Sequence, residues 1–191
     1  DPDGLDHVAG LLMAARNPAI IADFLGRNEA STAGLVRLAE SLAVPVITGG
    51  DLYNFPTHHP LNATDSKIEL LSEADVVVAL DVYDLQQMLT KQDWATRTNV
   101  DILKPDAKLV DISLRQLLVK SWADDHGALY PTEIQLAADT SLAIPALADI
   151  IERRLEDGAG DKAAIAARRG QVQELHDSNV ARNQAVASDK A

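Results

Sequence analysis

Apolar positions follow two alternating rhythms along the chain. The densest run, Val76-Val77-Val78-Ala79-Leu80, stands between Asp75 and Asp81. It is too short for an ordinary helix and too uniformly apolar for a strand with one wet face. It therefore predicts a central strand covered by helices on both sides, as in a parallel sheet. Weaker runs recur at Ala19-Ile20-Ile21-Ala22, Val44-Pro45-Val46-Ile47-Thr48, Lys108-Leu109-Val110-Asp111-Ile112 and Glu133-Ile134-Gln135-Leu136-Ala137. A further short strand is expected near Leu61 to Thr64.

Between these runs the apolar spacing changes to three and four residues, the period of a helix with one buried face. Leu5, Val8, Leu11, Leu12 and Ala15 predict a helix over residues 5–16, closed at Asn17-Pro18 because the residue before proline is driven from helical angles. Leu35, Val36, Leu38, Ala39 and Leu42 predict a second, with Ser31 or Thr32 as its cap. Shorter helices are expected over 66–72 and 84–89. Asp139-Thr140-Ser141 caps one that runs through Leu142, Ile144, Leu147, Ile150, Ile151 and Leu155. Strands alternating with helices in this way define an α/β class, a three-layer Rossmann-like domain around a six-stranded parallel sheet.

Other stretches break the alternation. Phe55-Pro56-Thr57-His58-His59-Pro60 predicts a stiff, irregular crossing. Residues 91–105, with Trp94, read as a surface excursion, and 114–127 (Leu117, Leu118, Val119, Trp122) as a short helix or an edge segment. Gly158-Ala159-Gly160 separates a domain over 1–157 from a helical linker over 158–191 whose sparse apolar positions leave it little to bury, so weak docking or fraying is expected. The chain opens Asp1-Pro2-Asp3 without methionine and stops in a helical stretch, as expected of a piece of a longer or processed polypeptide.

Composition narrows the function classes. Aromatics make up 4% of a chain that is 47% apolar, so Ala, Val, Leu and Ile fill the core. A formal net charge of −12 argues against nucleic-acid binding, which needs clustered Lys and Arg. Without cysteine there are no disulfides, thiolate catalysis or cysteine metal sites. No 18-residue apolar stretch is present, so a cytoplasmic protein without membrane partners is expected.

If the sheet order reverses beside the first strand, a crevice opens at the carboxyl ends of the first and fourth predicted strands. Asp23 with Phe24, and Asp81 with Val82, would line it, with Thr48 and Gly49 beside them. Dinucleotide sites favour glycine there, because the backbone must approach a pyrophosphate. Two like charges ~5 Å apart cost about 3 kcal/mol at an effective dielectric of ~20. A helix amino terminus returns roughly 0.3–1 kcal/mol. FAD or ADP is therefore disfavoured, although an aspartate could instead hold a ribose hydroxyl. Gly26 and Gly49-Gly50 form neither a Gly-x-Gly-x-x-Gly nor a Gly-x-x-x-x-Gly-Lys loop, and read as turn glycines. His58 and His59 are adjacent, and His7, His126 and His176 lack the spacing of a metal pair. Asp111 and Asp124-Asp125 read as solvated carboxylates, since nothing marks a nucleophile for them to serve.

Four segments taken in order carry a family resemblance: Asn17-Pro18-Ala19-Ile20-Ile21, Leu38 through Val46, Phe55 through Pro60, and Ala74 through Leu80, with Leu103 through Ile112 following. The series resembles the central domain of thiamine-diphosphate-dependent enzymes, such as acetolactate synthase, benzoylformate decarboxylase and pyruvate oxidase, over residues 5–156. The resemblance implies a Rossmann-like middle domain of the DHS-like NAD/FAD-binding type, in a homo-oligomeric enzyme that decarboxylates or joins 2-oxo acids. It implies that thiamine diphosphate and magnesium belong to other domains of the same polypeptide, leaving no catalytic residue, metal or cofactor here. Flavin-binding members have glycine-rich turns after the first and fourth strands. This chain has Asp23-Phe24-Leu25 and Asp81-Val82-Tyr83, as a purely supporting domain would. A free-standing module loading FAD, ADP or coenzyme A at Asp23, Thr48, Gly49 and Asp81 is the alternative.

Overall fold

The computed structural model describes residues 1–49, 53–114 and 130–189. Helix α1 (Pro2–Ala14) leads into strand β1 (Pro18–Ala22), and α2 (Glu29–Leu42) into β2 (Val46–Thr48). After α3 (Lys67–Glu73) come β3 (Val76–Leu80), α4 (Leu85–Leu89), β4 (Thr90–Asp93), β5 (Thr98–Asp101), β6 (Lys108–Ser113) and β7 (Ile134–Ala137). Helices α5 (Thr140–Glu156) and α6 (Lys162–Ser188) finish the fold. Among the described residues no helix is long and apolar enough to cross a membrane.

β2, β1, β3, β6 and β7 form, in that order, one parallel sheet, so the order reverses beside β1, the condition for a crevice there. One row across it runs Val46, Ile20, Val78, Val110 and Ile134. All five residues of β3 are buried, and successive side chains serve opposite cores. Val76, Val78 and Leu80 pack with α1, α2 and α5. Val77 and Ala79 pack with Leu71, Leu89 and Ile102 on the other face. A fully buried valine is worth roughly 1.5–3 kcal/mol, which is why this run occupies the middle of the sheet.

The parallel sheet has five strands among the described residues rather than six. The segment expected as a third strand makes one bridge, Asn62 with Val46, and then coils into a 3-10 turn over Thr64–Ser66. Its polar side chains bond locally instead of leaving a ladder to form. Asn62 Oδ1 accepts from the amide and hydroxyl of Thr64, and Asn62 Nδ2 donates to the Pro56 carbonyl. Helix α2 starts earlier than predicted, capped by Asn28, whose Oδ1 accepts from Ala30 N. Ser31 and Thr32 are buried inside the helix. The surface excursion is an antiparallel hairpin, β4 with β5, and Trp94 at its turn is 84% exposed. The remaining expectations for Gly50, Asp51, residues 115–127 (with Asp124, Asp125 and His126) and Ala191 lie outside the described residues.

α6 is one continuous helix, and it docks by polar bonds more than by apolar burial. Val172 and Asn179 are its buried residues. The Arg168 guanidinium donates to the carbonyls of Ala15, Arg16 and Leu42, at the carboxyl ends of α1 and α2, where a cation also suits the helix dipole. Arg169 donates to the Glu40 carbonyl. Before it, Gly158 and Gly160 have φ of 87° and 88°, a turn that side chains resist.

Candidate functional site

At the carboxyl end of the sheet the chain leaves β1 through Asp23 and Phe24 and leaves β3 through Asp81 and Val82. Phe24 (φ 45°) and Asp81 (φ 49°) both take the left-handed conformation that glycine normally supplies. The sharp turns of a Rossmann-like crevice are thus kept, but with side chains on them.

Asp23 faces inward and is 5% exposed. Its Oδ1 accepts from Phe24 N at 3.0 Å and its Oδ2 from Tyr83 N at 3.2 Å, so one carboxylate ties the turn after β1 to the turn after β3. Above it the rings of Phe24 and Tyr83 pack with centroids 5.7 Å apart. Gly49 completes this group. A Cβ on it would stand 3.3 Å from Met88 Cε and 3.4 Å from the Asp23 carboxyl carbon, a tight fit in which the neighbours would have to give by a few tenths of an ångström. Asn54, which sequence reasoning missed, joins the same corner: its Nδ2 donates to the Gly49 carbonyl at 2.8 Å, and its Oδ1 accepts from Leu25 N and Gly26 N.

Three other candidates point elsewhere. Val82 is buried in the core with Leu89 and Ile102. Thr48 turns toward Thr64, whose Oγ1 lies 3.1 Å from both its amide and its hydroxyl. Asp81 Oδ2 accepts from Thr140 Oγ1 at 2.5 Å and lies 3.9 Å from Arg27 Nη2. Burial pushes the Asp81 carboxyl above the ordinary carboxylate range, against the opposing pull of Thr140 and Arg27. Asp139, beside it, is held below that range by its bonds to Ser141. The structure thus brings together Asp23, Phe24 and Gly49, with Tyr83, Met88 and Asn54 around them. Asp111 is buried in β6 rather than solvated, and its Oδ2 accepts from Gln135 Nε2 and Ser113 Oγ.

A second concavity, of about 550 Å³, opens between α6 and residues 57–65, and both His58 and His176 line it. His59 is engaged separately, with Nδ1 accepting from Leu61 N and Nε2 near Glu40. Among the described residues no three His, Cys, Asp or Glu side chains gather to hold a metal ion.

No protein-family model matches the chain. Two curated relatives do. Over 192 aligned positions, 96% of the chain, it is 29% identical to a Pseudomonas aeruginosa protein named a probable 2-ketoarginine decarboxylase. Over 170 positions, 85% of the chain, it is 30% identical to a sulfoacetaldehyde acetyltransferase of Rhodobacter capsulatus. The chain spans 31% and 26% of their lengths. In fold it is similar to a solved Mycobacterium smegmatis protein described as a thiamin diphosphate-dependent enzyme, with a TM-score of 0.55 and 20% identity, over 79% of this chain and 28% of that one.

Proposed function

This chain is a domain of the thiamine-diphosphate-dependent enzymes, and from that premise we propose that it is their central, supporting domain. The complete enzyme cleaves or joins the bond beside a 2-oxo or aldehyde carbonyl. Its relatives, one named for decarboxylation and one for acetyl transfer, span both outcomes. Other domains of the same polypeptide hold thiamine diphosphate and magnesium, and the assembled enzyme is a homo-oligomer. Magnesium at a diphosphate calls for convergent carboxylates. No three His, Cys, Asp or Glu side chains gather among the described residues, and no step through the cofactor is assigned to them. A cytoplasmic setting accords with the absence of cysteine.

The observation that carries the supporting role is the corner over Asp23. Where a nucleotide would need bare backbone, Asp23 joins the two turns, the Phe24 and Tyr83 rings pack together, and Met88 stands against Gly49. A diphosphate would also meet Asp81 with Arg27 as the neighbouring cation, and the Arg27 side chain is 70% exposed. The alternative, a module that binds FAD, ADP or coenzyme A, is not favoured. Incubating the 191-residue chain with thiamine diphosphate, magnesium and a panel of 2-oxo acids tests the reading. No turnover is expected, and product formation by the chain alone would contradict it.

A further inference from the structure

The cleft beside α6 has a hydrogen-bonding character that follows from its partners. Thr48, Asn62, Thr64, Asp65, His176 and Asn183 are among the residues that line it. The Thr64 hydroxyl directs its one proton to Asn62 Oδ1 at 2.9 Å. The Thr48 hydroxyl, 3.1 Å from Thr64 Oγ1, must then be the donor of that pair, and its own lone pairs remain available.

His176 Nδ1 lies 2.8 Å from the Asn62 carbonyl, which can only accept. Nδ1 therefore carries the proton, and Nε2 of the neutral ring is an acceptor. Asn183 Nδ2 donates to Asp65 Oδ2 at 2.8 Å, and a carboxylate partner fixes that amide so that Oδ1 is an acceptor as well. Asp65 supplies the one formal charge, and neither Lys nor Arg lies among the described lining residues. The cleft thus offers acceptors from two sides, from the end of β2 and from α6, within a volume of about 550 Å³ that suits a small molecule.

We propose that this cleft binds a small organic cation bearing several N–H donors, an amine or a guanidine. Each donor would meet a lone pair already oriented by its neighbour, and Asp65 would balance the charge. Phosphates and carboxylates would bring acceptors to these acceptors and a negative charge to Asp65, with only Thr57, His58 and Gln184 on the lining to donate to them. The inference rests on the cleft alone and stands whether or not the chain is a supporting domain.

Agmatine, which carries both an amine and a guanidine, is a suitable probe. Titrated into the 191-residue chain while backbone amides are followed by NMR, it should produce saturable shifts at Thr48, Asn62, Thr64 and Asn183. Inorganic phosphate and glycerol should produce none there. Asp65→Asn and Asn183→Leu alter exposed side chains, so their melting temperatures should match the parent while agmatine affinity falls roughly tenfold in each. No localised shift at about 50 mM agmatine, an equal response to phosphate or glycerol, or unchanged affinity in both variants would overturn the proposal.

Discussion

Asp81 combines a left-handed backbone with a partly buried charge. Its φ of 49° costs a side-chain-bearing residue about 1–2 kcal/mol, and burial raises its pKa. A carboxyl whose folded pKa lies above its unfolded value contributes stability that is complete below the unfolded pKa and is lost as pH rises through the folded one. Asp81→Asn keeps an acceptor for Thr140, suits the left-handed region and removes the charge. Urea unfolding should show the variant at least as stable as the parent at neutral pH, with the difference closing below about pH 4. A loss beyond about 1 kcal/mol at neutral pH would refute this account of the residue. The carboxylates ending both strands were visible in the sequence, but their directions were not. Asp23 turns inward because two backbone amides converge on it, one of them 60 residues away. Asn54 gave no signal for the same reason: its partners are assembled by folding, not by spacing.

β3 was legible as an element because an uninterrupted apolar run allows few other placements. Val78→Ala should cost about 2–3 kcal/mol in chemical denaturation, whereas Val100→Ala on the exposed hairpin should stay within about 0.5 kcal/mol; similar losses for both would place the core elsewhere. That residues 61–64 do not form a strand, and that 90–101 form a hairpin, was not legible, since Asn62 and Thr64 make local side-chain bonds and residues 90–101 have no apolar alternation to announce a ladder. α6 was legible as a helix but not in how it docks. Burial lowers the Arg168 pKa, and its Nε is buried without a partner, so its hold rests on three carbonyls. Hydrogen bonds from a charged donor are worth about 1.5–3 kcal/mol each before desolvation. Arg168→Met should therefore speed amide exchange along α6 while leaving β3 protected. Unchanged exchange in α6 would show that its other contacts, Val172, Asn179, Arg169, His176 and Asn183, hold it without Arg168.

At the scale of the molecule, the family was legible because several loose segments recur in the right order, and a series is harder to meet by accident than any one of its parts. The reaction's substrate was not, because the chain spans about a third or less of its relatives' length, and nothing in its own corner over Asp23 gathers a reacting constellation. The account turns on whether that corner admits a nucleotide. Isothermal titration of the chain with ADP and with FAD measures this directly. The account predicts no saturable binding of either, and a stoichiometric complex with a nucleotide seated over Asp23 and Asp81 would contradict it.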